Sequence, residues 1–332
     1  MYEWCDYSIK PLNLLKQIMN ASDGSDDIYI VTGSFGDVYV QLSLLSEIMT
    51  ASRSPVVIVD GNYQLLATNV LPNQAKLITA NTAAIRQMLN RLGVLGNNKN
   101  FPIPLLPTLY PMIPECIHEG ILKYCDFIRL LIKSTSSGKL LDIENYEAQN
   151  VLATAHLIKA GGKPGSSVII CPENNTNTEF EPSLWNNICE WMSEFGLTPM
   201  INASQKSTGA NSSDAISTQW PRLTVPPHMA VTLTSVAGGY VSGTNGYATI
   251  QALFNKHSFG LHLINANTLH DDKIINKFGI AAPKDIFFHE NFWSDQFLNI
   301  QKEKVINRNM SLEDLRNTVE KLFNTKNQRL VS

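Results

Sequence analysis

The sequence predicts an α/β protein with two halves, each built on a parallel sheet that helices cover on both faces. In the first half, the apolar runs 27–32 and 55–60 flank a glycine turn and a helical segment. Strand, turn, helix and strand in that order form a βαβ unit, and wholly apolar strands indicate a sheet buried on both faces. The alternation starts again after the Gly/Pro/Ser-rich stretch 160–167, the best linker candidate. A chain of 332 residues suits two domains of about 150 residues each.

Composition excludes several classes of protein. Hydrophobic residues make up 44% and charged residues 17% of the chain, which is typical of a globular protein with buried cores. The net charge of −3 offers no broad basic surface for nucleic acid or for an anionic bilayer. The five cysteines are odd in number and none has CxxC spacing, so neither a zinc site nor a disulfide framework is expected.

The cellular location is predicted from the lengths of the apolar segments, which are too short for a signal peptide or a membrane span. The N-terminus has no apolar core of signal-peptide length, and no stretch reaches the ~18 apolar residues of a membrane span. We therefore expect a soluble, cytoplasmic protein with reduced thiols and at most peripheral contact with a membrane.

Apolar residues three and four apart predict the helices of the first half. One helix is predicted over 37–50, directly after the first turn, and others over 71–92, 114–133 and 143–159.

The second half continues the alternation of strands and helices. Its predicted elements follow in the order 168–171, 182–195, 198–201, 223–225, 227–236, 239–242, 246–255 and 257–264. The polar segment 203–217 is expected to be a flexible surface loop. We thus predict a first domain at 1–160, a second at 161–305 and, in 306–332, a closing helix that could pack back onto the first domain. A capping signal at 311–314 marks the start of that helix.

The first candidate site is the turn Gly33-Ser34-Phe35-Gly36-Asp37. Its two glycines allow a tight turn and a close approach of the backbone to a ligand, and Asp37 falls at the start of a helix. Ligands of open α/β sheets bind at the strand ends, so a carboxylate there is well placed for chemistry. The alternative is that Asp37 only stabilises the positive end of its own helix.

The second candidate site is the stretch 238–246, in which a strand runs into a small-residue turn and then into a helix. Free backbone N–H groups and a helix dipole in such a turn hold an anion, including a diphosphate, without a lysine. The alternative is an ordinary strand-to-helix connection in which glycines solve a packing problem.

The sequence lacks the motifs that identify several other classes of enzyme. Neither glycine cluster matches G-x-G-x-x-G, which argues against a nicotinamide enzyme, and 161–166 does not have the order of a phosphate loop. No G-x-S-x-G elbow indicates a serine hydrolase. The seven histidines show no H-x-x-x-H spacing, and His270 with Asp271 and Asp272 is more typical of a solvated turn than of a metal site.

The order of these features resembles the heptosyltransferase-type glycosyltransferases, which include the lipopolysaccharide heptosyltransferases. The segment 28–45 is similar to the family's opening strand, its G-D-[VI] turn and the following helix. The segment 162–172 is similar to the hinge and first strand of the donor domain. The segment 241–246 lies where the family has its G-N-D-[ST]-G-P-like phosphate turn. The resemblance extends from about residue 28 to residue 265.

This resemblance implies a GT-B fold, with two facing Rossmann-like domains that bind the acceptor and the nucleotide sugar respectively. It implies that Asp37 is the catalytic base, next to an acceptor-side turn of Gly33, Ser34, Phe35 and Gly36. It implies donor phosphate binding at Ser242, Gly243, Thr244, Asn245 and Gly246, beside a donor-domain loop that contains Glu173, Asn174 and Asn175. The nucleotide sugar is a substrate, so no cofactor is expected, and the absence of a D-x-D motif predicts no metal.

Several positions depart from the family pattern. The loop 172–180 has no lysine or arginine, where the family has a basic residue that contacts phosphate. Thr244 or Asn245 stands in place of the phosphate turn's aspartate, and Tyr247 stands in place of its proline. No histidine follows at the usual distance, and Gln251 is nearby instead.

Three functions follow from these patterns. The first is metal-independent transfer of a hexose or heptose from a nucleoside diphosphate sugar to a hydroxyl of a glycan or glycolipid, within bacterial surface-glycan biosynthesis. The second is a catalytically inert GT-B protein that binds a nucleotide sugar or a partner protein. The absence of lysine and arginine from the loop 172–180 favours this function. The third, epimerisation of a sugar nucleotide, requires further acids and histidines for which the sequence offers no obvious set.

Overall fold

The chain divides by its internal contacts into two compact units, Met1–Ile143 and Glu144–Ser332. The structure, a computed structural model, describes residues 13, 27–50, 53–72, 75–91, 106, 124–134, 146–173, 180–203, 212–243, 245–247, 250–251, 259–265, 305–306, 311–317 and 319–321. Both units are α/β.

The first unit is a parallel sheet with helices. Its elements are β1 (Ile28–Ile30), α1 (Phe35–Glu47), β2 (Val56–Val59), a 3₁₀ turn (Gly61–Tyr63), α2 (Gln64–Val70), β3 (Lys76–Thr79), α3 (Thr82–Arg91) and α4 (Tyr124–Leu131).

The strands of this sheet lie in the order β1-β2-β3, and both pairs are parallel. β1 and β2 are wholly buried, as expected for apolar strands covered on two faces. On the other side of β1, the backbone N–H of Leu106 donates to the Ile30 carbonyl at 3.0 Å. The single helix predicted over 71–92 is wrong in its first part, because β3 occupies 76–79 and pairs with β2.

Two ion pairs fix the end of the first unit that is remote from the carboxyl ends of its strands. The Arg53 guanidinium donates to Asp27 at 2.6 Å, to the Tyr29 hydroxyl at 3.0 Å and to the Ile132 carbonyl at 3.0 Å. Arg129 of α4 donates to Glu47, the last residue of α1, at 2.7 Å. These contacts anchor α4 to the sheet at the end opposite the carboxyl ends of its strands.

The second unit is a larger parallel sheet. Its elements are α5 (Tyr146–Lys159), β4 (Ser167–Cys171), α6 (Pro182–Glu194), β5 (Thr198–Asn202), 3₁₀ turns at Ser212–Ala215 and Pro227–Met229, β6 (Arg222–Leu223), α7 (Ala230–Ala237), β7 (Gly238–Gly243), β8 (Phe259–Asn265) and β9 (Val305–Ile306). Helical backbone also covers 246–247, 250–251, 312–317 and 319–321.

The strand order β6-β5-β4-β7-β8-β9 is the doubly wound order of a Rossmann fold. From β4 the chain runs outward through β5 to β6, and it then returns to the other side of β4 as β7. The connections therefore diverge between β4 and β7. The crevice at the carboxyl ends of these two strands is where doubly wound sheets bind ligands.

Gly238 joins α7 to β7 at a point where only glycine fits. Its φ is +113°, and a Cβ built there would lie 2.8 Å from the Gly165 carbonyl oxygen. The Gly165 N–H in turn donates to the Val236 carbonyl at 2.8 Å. The stretch 160–167, predicted as a linker, is thus bound tightly to the start of β7.

The unit boundary lies 17 residues before the predicted position at 160/161, since the contacts divide the chain at 143/144. The reason is the packing of α5, which precedes the stretch 160–167 but belongs with the second unit. Thr232 of α7 donates to Gln149 of α5 at 3.2 Å, and the His156 ring nitrogen lies 2.8 Å from the Thr224 carbonyl.

The closing helix lies against the second unit. Leu315 and Val319 are buried in its core beside Trp185 and Trp191 of α6. The capping prediction at its start is confirmed, because the Ser311 hydroxyl accepts from the Asp314 N–H at 3.0 Å. Both tryptophans of α6 are buried and belong to this core.

Candidate functional site

The turn after β1 presents Asp37 at the carboxyl edge of the first sheet. Gly33 has φ +118°, a conformation that side chains disfavour, and it carries the chain from the strand to the helix. Gly33 and Ser34 are exposed, Phe35 and Asp37 are half-buried, and Gly36 is buried. The predicted acceptor-side residues therefore form one continuous turn that leads into α1.

Asp37 caps the helix on which it stands. One of its carboxylate oxygens, Oδ2, accepts from the backbone N–H of Ser34 at 3.1 Å and from the Ser34 hydroxyl at 3.0 Å. This capping box satisfies a donor that the helix start leaves without an intrahelical partner. The capping role and a role as base are compatible, because the capping bonds fix the carboxylate in one position.

The buried amide of Gln41, which was not predicted as part of the site, binds the backbone of the residue that precedes the turn. Gln41 of α1 is fully buried, its Oε1 accepts from the Thr32 N–H at 3.0 Å, and its Nε2 donates to the Thr32 carbonyl at 3.0 Å. The Thr32 hydroxyl donates to the Leu106 carbonyl at 2.8 Å. A single amide in an otherwise apolar run of α1 was the available signal, since a buried polar group needs partners.

The turn after β2 adds two polar residues to the same edge, and neither was predicted. Asp60 follows the strand directly, and its carboxylate accepts from the Asn62 N–H at 3.1 Å. Tyr63 is half-buried, and burial, assisted by the charges of Asp60 and Asp37, raises the pKa of Tyr63 to about 12. An aspartate at the end of an apolar strand was the sequence signal for this turn.

In the second unit, three predicted site residues bind one another at the crevice between β4 and β7. The Ser242 hydroxyl donates to Asn245 Oδ1 at 3.0 Å, and Asn245 Nδ2 donates to the Glu173 carbonyl at 2.8 Å. Asn245 thus ties the turn after β7 to the segment after β4. The predicted residues Thr244, Asn174 and Asn175 lie outside the described residues.

The helix that begins at Gly246 is fixed to α7. The hydroxyls of Tyr247 and Thr234 form a short hydrogen bond, and Gln251 Nε2 donates to the Ala230 carbonyl at 3.0 Å. Both side chains are buried. The two residues that replace the family's proline and histidine therefore hold this helix in position, which fixes the direction of its N-terminal dipole.

Glu173 orders part of the polar segment that was predicted to be a flexible loop. Its Oε1 accepts from the Ser213 N–H at 2.7 Å. Arg222 of β6 donates to the carbonyls of Ser213 at 2.9 Å and of Ile216 at 2.8 Å. Ser213 is buried, so the end of this segment is part of the packed unit.

Burial holds two titratable groups of β4 and β7 in their neutral forms. Burial raises the pKa of the Cys171 thiol far above its usual range, and burial likewise raises the pKa of the Tyr240 phenol. Cys171 and Cys189 are free thiols in the interior. Within the described residues, no group of three or more His, Cys, Asp or Glu side chains could hold a metal ion. No helix in the described part of the chain has both the length and the apolarity that crossing a bilayer requires.

Comparison with known proteins finds similarity in structure only. No protein-family model and no curated protein sequence matches the chain. The structure of E. coli ADP-heptose LPS heptosyltransferase II matches 91% of this chain and 99% of its own length, with a TM-score of 0.56 and 11% identity.

Two further structures match less closely. A family 9 glycosyl transferase from Veillonella parvula gives a TM-score of 0.47 at 10% identity, over 90% of this chain and 97% of its own. E. coli heptosyltransferase WaaC with ADP-2-deoxy-2-fluoro heptose gives 0.40 at 10% identity, over 75% of this chain and 99% of its own. The predicted α/β fold of the GT-B class is confirmed by the first of the three matches, and the chain has the fold of the heptosyltransferase-type glycosyltransferases.

Proposed function

We propose that the protein is a glycosyltransferase that moves a sugar from a nucleoside diphosphate sugar to an acceptor hydroxyl. The observation that carries the proposal is the position of Asp37. It is a carboxylate at the carboxyl edge of the first sheet, fixed by two hydrogen bonds from Ser34, in a chain with the fold of a heptosyltransferase. Fold alone does not establish activity, so the proposal rests on this residue together with the crevice of the second unit.

In this reaction Asp37 accepts the proton of the acceptor hydroxyl as that oxygen bonds to the anomeric carbon. The bond from the anomeric carbon to the donor phosphate breaks, and the nucleoside diphosphate leaves with the electron pair. General base catalysis of this kind contributes roughly 10²–10⁴-fold to the rate. The capping bonds to Ser34 hold the carboxylate ready for the proton, which reduces the reorganisation that the step requires.

The leaving diphosphate binds, in this proposal, at the crevice between β4 and β7. The turn after β7 and the helix that begins at Gly246 offer backbone N–H groups and a positive dipole end to an anion. Asn245 and Ser242 bind each other and the Glu173 carbonyl, so these side chains shape the turn and its backbone binds the phosphate. Backbone donors aimed at developing charge stabilise a transition state effectively.

The substrates follow by analogy with the E. coli structure, whose name gives ADP-heptose as its donor. We propose a hexose or heptose donor, a glycan or glycolipid acceptor of a bacterial surface, and transfer without a metal ion. A cytoplasmic location fits the free, buried thiols of Cys171 and Cys189, since such thiols persist in reducing compartments.

A thermal-shift screen against nucleotides and nucleotide sugars tests the donor site, because a specific ligand raises the melting temperature by mass action. We expect a shift of several degrees with one class of nucleoside diphosphate sugar, unchanged when EDTA replaces Mg²⁺. A shift that depends on Mg²⁺ would contradict transfer without a metal. No shift with any member of the set would argue against the donor site.

One observation favours the second candidate, an inert GT-B protein that binds a nucleotide sugar or a partner protein. The segment after β4 carries an acidic residue, Glu173, whose carbonyl binds Asn245 at the crevice, and no lysine or arginine follows β4 or β7 directly within the described residues. A carboxylate close to a diphosphate weakens its binding. Under this alternative, a nucleotide sugar stabilises the protein but is neither hydrolysed nor transferred when a full panel of acceptors is offered.

A further inference from the structure

Two turns leave the first sheet side by side at its carboxyl edge. β1 and β2 are parallel neighbours with Ile30 opposite Ile58, and the Val31 N–H donates to the Ile58 carbonyl at 2.9 Å. Parallel neighbours run about 4.8 Å apart, so the segments that follow them emerge next to each other. The first turn carries Asp37 and the second carries Tyr63.

The second turn is rigid, and this fixes Tyr63. The Asp60 carboxylate accepts from the Asn62 N–H at 3.1 Å, and the Tyr63 N–H donates to the Asp60 carbonyl at 2.9 Å. Tyr63 ends the 3₁₀ turn and leads directly into α2, which is anchored by the buried Leu66 and Ala67. The backbone of Tyr63 is therefore fixed at the carboxyl edge of the sheet, the edge from which the first turn also emerges.

The chemistry of Tyr63 is that of a hydrogen-bond donor. Burial, with smaller contributions from the charges of Asp60 and Asp37, raises the pKa of Tyr63 to about 12, so the phenol keeps its proton at neutral pH. The side chain is only half-buried, and within the described residues no group forms a hydrogen bond with its hydroxyl. A neutral O–H donor at the same sheet edge as a fixed carboxylate, close enough for the charge of Asp37 to act on it, is suited to bind a hydroxyl-rich molecule.

We infer that Tyr63 is an acceptor-binding residue: its hydroxyl donates a hydrogen bond to the acceptor sugar next to the hydroxyl that Asp37 deprotonates. This inference rests on the proposed function. It also defines the chemical class of the acceptor at this edge. Asp37 and Asp60 both carry negative charge there, which repels a phosphate or carboxylate. The part of the acceptor that binds beside Tyr63 is therefore an uncharged, hydroxyl-bearing saccharide.

The test is Tyr63→Phe, which removes the hydroxyl and keeps the ring, so folding is preserved. The acceptors are a panel of methyl hexosides and heptosides with and without phosphate, and the donor is the nucleoside diphosphate sugar that supports turnover in the unchanged protein. A neutral hydrogen bond to substrate predicts a rise in the acceptor KM of roughly 3- to 10-fold. We expect kcat and the donor KM to stay within about 2-fold.

Tyr29→Phe is the matched control, because it removes a tyrosine hydroxyl from the same sheet but at the end opposite the carboxyl ends of the strands. The Tyr29 hydroxyl binds Asp27 and Arg53, so its removal lowers the melting temperature and leaves the acceptor KM unchanged. If the inference holds, Tyr63→Phe instead raises the acceptor KM and leaves the melting temperature unchanged.

Three results would overturn the inference. They are an unchanged acceptor KM in Tyr63→Phe, an equal rise of the donor KM, and turnover with phosphorylated acceptors only. Each of these leaves the proposed function standing, because transfer by the unchanged protein is observed in all three. A complete lack of transfer by the unchanged protein would instead remove the proposed function, and this inference with it.

Discussion

Replacing Gln41 with methionine should destabilise the first unit strongly, although both side chains have similar length and shape. Gln41 satisfies the N–H and the carbonyl of Thr32, and both residues are buried. The substitution leaves two buried backbone groups without these partners, and each such group costs about 1–3 kcal/mol. Burial of the thioether in place of an amide offsets part of the loss, so we expect the free energy of unfolding to fall by about 2–4 kcal/mol.

Urea unfolding followed by circular dichroism measures this change, and hydrogen exchange of the peptide that spans β1 and α1 assigns it to the first unit. The control is Gln64→Met, an exposed glutamine on α2, which should change the free energy of unfolding by less than about 0.5 kcal/mol. If Gln41→Met behaves like this control, the amide does not hold the turn and our account of how Asp37 is positioned is wrong.

Two further predictions concern stability. Gly238→Ala should lower the free energy of unfolding by about 3 kcal/mol or more, because the new Cβ meets the Gly165 carbonyl at 2.8 Å in a left-handed backbone. Gly196→Ala also has a positive φ but nothing near its Cβ, so it should cost only about 1–2 kcal/mol, and equal losses in urea unfolding would refute the role of the clash. The hydrogen bond from Arg53 lowers the pKa of Asp27 in the folded protein. The stability that this ion pair contributes is therefore fully present above the unfolded pKa of about 4, and it is lost as the pH falls through the folded pKa. In melting curves from pH 6 to pH 2.5, Asp27→Asn should lose less stability than the unchanged protein, and parallel curves would contradict this.

Most strands could be predicted because their signal is local. β1, β2 and β4 are continuous apolar runs, which is the pattern of a sheet buried on both faces. β3 was missed for the converse reason. It is a four-residue strand at the end of the described strand order, half-exposed along its length, and its pairing with β2 is a non-local property that no window of sequence contains.

The assignment of α5 and of the closing helix to a unit could not be made from sequence. The two helices were predicted as elements, but their partners are Thr232 and Thr224 for α5, and Trp185 and Trp191 for the closing helix. These contacts join segments that are far apart in the chain. An amphipathic pattern shows that a helix buries one face, and it does not show against what.

The residues of the candidate site likewise fall into those that a local pattern identifies and those that depend on contacts between distant segments. Asp37, Ser242 and Asn245 stand in glycine turns at strand ends, which a local pattern identifies. Gln41 and Tyr63 were missed because their roles depend on the neighbouring segments that the parallel sheet brings together.

The substitution Asp37→Asn separates the two roles of this residue better than Asp37→Ala does. The structure shows that the carboxylate caps α1, so alanine should cost about 0.5–2 kcal/mol of stability whether or not the residue is a base. Asparagine keeps an oxygen that accepts from the Ser34 N–H, and it removes the basicity.

The most direct test of the central claim is therefore the transfer rate of Asp37→Asn with a saturating donor and acceptor, together with its thermal shift on donor binding. If Asp37 is the base, kcat falls by roughly 10²–10⁴-fold while the donor-induced shift in melting temperature is retained. A folded Asp37→Asn protein that transfers sugar at the rate of the unchanged protein would contradict the mechanism.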